Sequence, residues 1–230
     1  MKKSKIRTQP KRKLSQSPFF LTFAICILLG LCGCIAHFWS PTVAYLKYEP
    51  KEGDLIFQSL PYSKLTATIE GVSGSPYSHC AIVARDPKSR DWIVYEAYNK
   101  VEATALRDFI FRGRDYGFSI YRLQTKHEKF ISDTLTASRK YLGLDYDLSY
   151  AMDDEKIYCS ELIWKAFKTA SKIELSKTEQ LGQLNWRPYI KNIEFFEKGP
   201  VPLTREMITP VALAKSPDLD LVYSFRIVTY

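Results

Sequence analysis

The sequence predicts an α+β fold, in which helices cover a small and mostly antiparallel sheet. Two short apolar segments, residues 79–85 and 92–98, are joined by the turn sequence DPKSRD and are typical of strands. Two longer segments, residues 126–142 and 159–170, carry apolar side chains at helical spacing. Local strand pairs followed by helices are what this class requires.

The N-terminal part of the chain differs in charge from the remainder. Residues 1–40 contain seven Lys or Arg and no acidic residue, whereas the other 190 residues carry 26 basic and 25 acidic side chains. Seven of the eight net positive charges therefore belong to a basic leader, residues 1–17, which we expect on the cytoplasmic side of a membrane. Because the body is nearly neutral, the composition does not indicate a nucleic-acid partner.

Residues 18–39, PFFLTFAICILLGLCGCIAHFW, form an apolar segment directly after this leader. Their length suits one N-terminal hydrophobic helix, either a membrane anchor or a secretory signal. The sequence LCGC is similar to a lipoprotein signal in which Cys34 would be lipidated. An uncleaved anchor and a lipoprotein therefore both stay open. Either one tethers the protein to a membrane and places its body outside the cytoplasm, in the periplasm or at the cell surface.

Residues 40–52, with Pro41 and Pro50, are predicted to be a linker, and residues 53–230 are predicted to be one domain with its own core. Its first elements are a strand at residues 54–57 and a helix at residues 63–70. The later elements are central strands at 79–85 and 92–98, further strands at 101–106 and 118–123, helices at 126–142, at 159–170 and after Pro210, and a final strand at 222–228.

The stretch KIYCSELIWKAF, residues 156–167, places Cys159 at the start of a predicted helix. The positive end of a helix dipole favours thiolate over thiol, and Ser160 and Glu161 suit a first helical turn. Two interpretations follow from these residues alone. Cys159 is either a nucleophile or a small core residue.

A nucleophilic thiolate needs a base, and the body contains only two histidines. His127 begins the polar stretch KHEKF and is predicted to be a solvated surface residue, whereas His79 begins a strand directly after a tight loop. Glu96 lies inside an apolar strand and needs a partner, since burying an unpaired carboxylate is costly. If Glu96 accepts a hydrogen bond from one ring nitrogen of His79, the other nitrogen is left to face Cys159.

Cys80 is the second cysteine of the body. Side chains alternate between the faces of a strand, so Cys80 is predicted to point away from His79 and into the core. This placement argues against a disulfide between Cys80 and Cys159, although an oxidising compartment would permit one.

Five short motifs, in order along the chain, resemble the permuted papain-like amidases, the YiiX/YaeF-like branch of the NlpC-type cysteine hydrolase superfamily. They are GDLIFQ (53–58), SPYSHCAIV (75–83), VYEA (94–97), YLGLDYD (141–147) and YCSELIWKAF (158–167), and a tail TPVALAKSPDL follows. The resemblance covers about residues 50–230 and implies a circularly permuted papain-like fold. It also implies that Cys159 is the nucleophile, His79 the general base and acid, and Glu96 the orienting carboxylate.

For function, the resemblance implies cleavage of amide bonds in a cell-envelope peptide or a lipid-linked amino acid or peptide, through a thioester on Cys159. A phospholipid acyl hydrolase or acyltransferase, and a non-catalytic module that binds envelope lipid or peptidoglycan, remain alternatives. Gln58, Tyr77 and Tyr158 are candidates for binding the oxyanion or substrate. The sequence has no CxxC or HExxH metal motif and no nucleotide-binding fingerprint, so no cofactor or metal is expected.

Overall fold

A six-stranded antiparallel sheet forms the centre of the computed structural model, which describes residues 41–227. Its strands lie in the order β4-β3-β2-β1-β5-β8, and each neighbouring pair is antiparallel. The strands are β1 (Leu55–Gln58), β2 (His79–Arg85), β3 (Trp92–Ala97), β4 (Val101–Ala105), β5 (Phe118–Leu123) and β8 (Leu219–Phe225). A separate two-stranded sheet pairs β6 (Glu179–Gln180) with β7 (Glu206–Met207).

Helices lie between the strands. They are α1 (Lys64–Ser73), α2 (Leu106–Arg112), α3 (Ile131–Arg139), α4 (Cys159–Ser171), α5 (Ile190–Glu197) and α6 (Pro210–Ala214). This mixture of helices with a mostly antiparallel sheet is the predicted α+β class. The strands predicted at 79–85 and 118–123 have these bounds in the structure, and helix α4 ends one residue later than predicted.

The sheet is buried on both faces, as the continuous apolar sequences of β2 and β3 predict. On one face, Cys80 and Ile82 of β2 share a core cluster with Ile163 of α4. On the other face, Ala81 of β2 shares a second cluster with Phe109 of α2. His79 and Glu96 are therefore held in the middle strands of a two-sided core, and Cys159 lies on the helix that packs on one of its faces.

The helix predicted at residues 126–142 is shorter in the structure. Residues Thr125–Phe130 form a 3-10 turn, and α3 covers only Ile131–Arg139. In the turn, the backbone N–H of His127 donates to the carbonyl of Gln124 (2.8 Å), which is the closure of a 3-10 turn and not of an α-helix. The final strand also differs, since it begins at Leu219 and not at residue 222.

Helices α2 and α5 were not predicted. They have seven and eight residues, which is too short for helical periodicity to stand out in a sequence. Part of the predicted linker is also ordered, because residues 41–47 are helical and Ala44 and Tyr48 are buried. The Tyr48 hydroxyl donates to Asp54 Oδ2 (2.7 Å), so the folded domain begins before residue 53.

Residues 1–17 and 18–39, including Cys34, lie outside the described residues, and so does the predicted hydrophobic helix. Between residues 41 and 227, the helices are too short or too polar to cross a lipid bilayer.

Candidate active site

Cys159 is the first residue of α4, and its neighbours fix this end of the helix. The Glu161 carboxylate accepts a hydrogen bond from the backbone N–H of Tyr158 (3.2 Å). Ser160 Oγ donates to the carbonyl of Ile208 (2.8 Å), and the Ile208 N–H donates to the Tyr158 hydroxyl (2.9 Å). These bonds place the thiol at the positive end of the helix dipole, where the sequence predicted it.

The side chains of His79 and Glu96 contact each other just beyond the last backbone-paired residues of β2 and β3. The register of these strands runs from Arg85↔Trp92 to Ile82↔Tyr95. Beyond it, His79 Nε2 lies 2.6 Å from Glu96 Oε2. The structure thus brings together the histidine and carboxylate that the sequence suggested as partners.

Arg112 on α2 is a third member of this group, and no motif in the sequence pointed to it. Its Nη2 donates to Glu96 Oε2 at 2.5 Å, and its guanidinium lies 4.0 Å from the ring centre of Tyr98. Burial raises the pKa of Glu96, but hydrogen bonds and charges from His79 and Arg112 outweigh burial and lower it to about 2. The carboxylate is therefore ionised at neutral pH.

The imidazole of His79 is held between two aromatic rings. Phe109 stacks on it with ring centres 5.4 Å apart, and Tyr98 meets it edge-on at 5.8 Å. Burial lowers the pKa of His79, but hydrogen bonds and negative charge from Cys159 and Glu96 outweigh burial and raise it to about 9. Because Nε2 is bonded to Glu96, the nitrogen left for Cys159 is Nδ1.

Cys80 lies beside Cys159, and the prediction that it points away from the site is wrong. Both thiols are buried and free, and they hydrogen-bond to each other. Alternation does put Cys80 on the face opposite His79, but α4 packs on the Cys80 face. Cys159 therefore sits at the end of β2, where both neighbouring residues of the strand reach its sulfur.

These contacts separate the acidities of the two thiols. The Cys80 side chain donates to the Cys159 sulfur, and this bond is the largest cause that lowers the pKa of Cys159. Burial opposes it, while the hydrogen bond and positive charge of His79 add to it, so that the pKa lies well below its usual range. Burial and the neighbouring Cys159 raise the pKa of Cys80. The contacts therefore favour the thiolate form of Cys159 next to a His79 imidazolium, and they keep the proton on Cys80.

Tyr146 is a further neighbour of Cys159 that the sequence analysis did not single out. Burial, the largest cause, raises the pKa of Tyr146 well above its usual value, and a hydrogen bond to Cys159 adds to it. The hydroxyls of Tyr146 and Tyr150 are 2.9 Å apart. The available signal was the motif YLGLDYD, which contains Tyr146.

The three oxyanion candidates lie in different surroundings. Gln58 is fully buried on β1 opposite His79, and its amide has no hydrogen-bond partner within the described chain. The hydroxyl of Tyr77 is engaged by Ser119 and Tyr121, both on β5. The hydroxyl of Tyr158 accepts the Ile208 N–H and anchors the C-terminal segment. Gln58 alone keeps both of its polar atoms uncommitted.

His127 is buried, and the prediction that it is a solvated surface residue is wrong. Its exposed fraction is 6%, and its Nε2 lies 2.9 Å from Asp218 Oδ1. The 3-10 turn directs the ring inward against Phe167, in the C-terminal half of α4 and away from Cys159. The polarity of KHEKF concealed this because its other charged residues face solvent.

A cleft open to solvent adjoins the site. It is lined by Tyr98, which packs on His79, and by Tyr146, which contacts Cys159, together with Leu60, Leu65, Asn99 and Leu148. A substrate carbonyl entering this cleft would meet the two aromatic residues that flank the charge pair. Within residues 41–227, no group of three or more His, Cys, Asp or Glu side chains is arranged to hold a metal ion.

A solved crystal structure of another protein has the same fold. A crystal structure of a protein titled the metalloprotein yiiX, from Escherichia coli O157:H7, superposes with a TM-score of 0.70 over 77% of this chain and 99% of that chain. The two sequences are 24% identical, so this likeness concerns the fold alone. The described residues of the present chain do not provide a three-ligand metal site.

Comparison of sequences shows the family. The Uncharacterized protein YiiX of Escherichia coli K12 is 28% identical over 189 residues, which are 79% of this chain and 90% of that protein. Residues 49–223 match the family of permuted papain-like amidases, YaeF/YiiX. The chain belongs to this family of permuted papain-like amidases, and it is a thiol-dependent hydrolase of the amidase or peptidase type.

Proposed function

We propose that the protein cleaves an amide bond in a cell-envelope peptide or a lipid-linked amino acid or peptide, through a thioester on Cys159. The observation that carries this proposal is the buried charge pair of Cys159 and His79 beside an open cleft. A thiolate that is ionised at neutral pH is a strong nucleophile, and an imidazolium next to it is a ready acid.

The reaction uses two chemical steps. In the first, the Cys159 sulfur attacks the carbonyl carbon, and the tetrahedral intermediate collapses as His79 gives its proton to the leaving amine. In the second, His79 takes a proton from water, whose oxygen attacks the thioester and releases the carboxylic acid. The proton on His79 and the free Cys159 thiolate are thereby restored. Glu96 holds the ring and supports its positive charge in both steps.

Gln58 is the candidate for oxyanion binding that has the most support. Its amide is buried next to His79, and the absence of a hydrogen-bond partner among residues 41–227 leaves its N–H groups available. The developing negative charge on the carbonyl oxygen needs such a preorganised donor.

We also propose that the protein is tethered to a membrane with its catalytic domain outside the cytoplasm. The basic residues 1–17 and the apolar residues 18–39 support this location. Lipidation of Cys34 and an uncleaved anchor are two forms of the same proposal.

The alternatives differ in what they require of the site. Hydrolysis or transfer of a phospholipid acyl group would pass through the same thioester, so the charge pair is compatible with it. A non-catalytic module that binds envelope lipid or peptidoglycan has no use for an ionised thiol. The ionised pair therefore favours an enzyme over a binding module.

The test incubates the full-length protein with membrane-lipid and cell-wall extracts, with Cys159→Ala as the matched control. Mass spectrometry should find an amine and a carboxylic acid released from one precursor by the unmodified protein only. Intact-protein mass should show an acyl adduct on Cys159 under rapid quenching. Equal release by Cys159→Ala, or an adduct on another residue, would contradict the proposal.

A further inference from the structure

Cys80 is a buried thiol that takes no part as a reactant in the proposed amide cleavage. It is fully buried on β2, and Cys159 is 1% exposed at the start of α4. Both are free thiols that belong to one core cluster. The Cys159 sulfur accepts hydrogen bonds from the Cys80 thiol and from the Cys80 backbone N–H. The two sulfurs are therefore in direct contact.

This contact places the two sulfurs within reach of a covalent bond. The S–S distance in a disulfide is about 2.05 Å, shorter than any contact between unbonded sulfurs. Because the Cys159 sulfur contacts both the side chain and the backbone of Cys80, the two side chains can close this distance while α4 stays packed on β2. His79, the residue before Cys80, also contacts the Cys159 sulfur and holds it at this place.

A small oxidant meets Cys159 before it meets Cys80. The open cleft is lined by Tyr146, which contacts Cys159, whereas Cys80 is fully buried and its thiol is engaged by the Cys159 sulfur. The hydrogen bond from Cys80 and the charge of His79 lower the pKa of Cys159, and the thiolate is the form that attacks a peroxide. Oxidation therefore begins at Cys159.

We propose that Cys159 is a site of reversible oxidation by hydrogen peroxide and that Cys80 resolves the oxidised form as a disulfide. In the first step, the Cys159 thiolate attacks one peroxide oxygen, the O–O bond breaks, and His79 protonates the departing oxygen to water. Cys159 becomes a sulfenic acid, and its two electrons pass to the peroxide. In the second step, the Cys80 sulfur attacks the Cys159 sulfur, and the hydroxyl group leaves as water with the Cys80 proton.

The disulfide protects the nucleophile from permanent damage. In a protein without Cys80, further peroxide converts the sulfenic acid of Cys159 into sulfinic and sulfonic acids, which thiols do not reduce. With Cys80 present, the oxidised protein has no free nucleophile, and two equivalents of an external thiol restore both cysteines. This protection does not depend on which bond the enzyme cleaves.

The first test maps the thiols of the full-length protein after treatment with hydrogen peroxide. Remaining thiols are blocked with iodoacetamide under denaturing conditions, and trypsin then releases Cys80 in residues 65–85 and Cys159 in residues 157–165. Mass spectrometry should find these two peptides joined, with a mass two hydrogen atoms below their sum, and dithiothreitol should separate them. A sulfinic acid on Cys159 together with an alkylated Cys80 would overturn the proposal.

The second test asks whether Cys80 makes the oxidation reversible. Cys80→Ser keeps a hydrogen-bond donor but cannot form a disulfide. After peroxide and then dithiothreitol, the unmodified protein should regain at least about tenfold more iodoacetamide labelling of Cys159 than Cys80→Ser, each relative to its own untreated sample. Equal recovery in the two proteins would show that Cys80 does not resolve the sulfenic acid.

The three cysteines of the apolar N-terminal segment provide the matched control. Cys26, Cys32 and Cys34 are replaced together by Ser in the full-length chain. This variant should keep both the linked peptides and the recovery of the unmodified protein. Loss of recovery in this variant, with Cys80 still present, would assign the resolving role to one of the three and overturn the proposal.

Discussion

The reactivity of Cys159 depends on a short series of single-residue contacts. Its thiolate is stabilised by the Cys80 thiol and by the His79 imidazolium, and the imidazolium is stabilised in turn by Glu96. Arg112 compensates the buried carboxylate from the other side. Each charge is therefore held by a neighbour of opposite charge or by a hydrogen-bond donor, which is the condition for ionised groups to remain buried.

Removing the members of the trio should have unequal effects on catalysis. Cys159→Ala should abolish turnover with the fold intact, and His79→Ala should cost nearly as much because it removes the acid and base. Glu96→Gln should lower kcat on the order of 10- to 10⁴-fold, since it spares the nucleophile but weakens the orientation of His79. Combined changes should lose little beyond the worst single one.

Steady-state kinetics and thermal melts of the same variants check this expectation. Measurable activity in His79→Ala, together with a Glu96→Gln variant that changes only Tm, would assign these residues to structure instead of catalysis.

The pH dependence should show an alkaline limb from His79. Its pKa is raised from an ordinary 6.5 to about 9, so the proton needed by the leaving amine is lost as the pH rises through about 9. Below pH 6.5 the raised pKa stabilises the folded protein in full, and this stabilisation is lost as the pH rises from 6.5 to about 9. We expect Tm to decrease between about pH 6.5 and 9 and kcat/KM to decrease above about pH 9, and a kcat/KM profile that stays flat to pH 10.5 would contradict the ion pair.

Alkylation of the two thiols tests the role of Cys80. A probe such as iodoacetamide should label Cys159 first and leave Cys80 protected until unfolding, since the pKa of Cys159 is lowered and that of Cys80 is raised. Cys80→Ala removes the largest cause that lowers the pKa of Cys159, so the onset of labelling should move to higher pH, and Cys80→Ser, which keeps a donor, should move it less. Labelling of Cys80 first in the unmodified protein would contradict this assignment.

At the scale of the elements, the packing of α1 depends on Gly71. A Cβ built there would lie 1.8 Å from the hydroxyl oxygen of Tyr189. Tyr189 is the last residue of a 3-10 turn, residues 187–189, that directly precedes α5. Gly71→Ala should therefore displace this turn and destabilise the protein by about 1–3 kcal/mol, less the gain in helix propensity. Gly199→Ala is the matched control, because its nearest neighbour would be 3.9 Å away.

Thermal or urea unfolding measures both variants. An unchanged Tm in Gly71→Ala would show that Tyr189 moves aside at no cost.

Element length decided which parts of the fold could be predicted. Strands β2 and β3 are continuous apolar segments on either side of a turn, and helix α4 is long enough for its helical periodicity to be read. The sequence therefore located His79, Glu96 and Cys159 on the correct elements. Helix α2 has seven residues, and its absence from the prediction hid Arg112. The position of Cys80 depends on which face of the sheet α4 covers, and strand alternation carries no information about that choice.

At the scale of the whole molecule, the location of the protein is a separate prediction. The full-length chain should sediment with membranes, with residues 53–230 accessible to protease from outside the cytoplasm, and deletion of residues 1–39 should release it. Incorporation of labelled palmitate that is lost in Cys34→Ser would identify the lipoprotein form. Recovery of the full-length protein in the cytosolic fraction would contradict both forms.

The order of the site residues along the chain has a consequence for biosynthesis. His79 and Glu96 lie on β2 and β3, whereas Cys159 arrives with α4, after the sheet strands β4 and β5. A growing chain therefore carries an acid–base pair with nothing to activate. Because Cys159 owes its ionisation to Cys80 and His79, the thiol becomes a nucleophile only when α4 docks on the finished strands. A chain that is still being synthesised therefore lacks the activated thiol until α4 has folded onto the sheet.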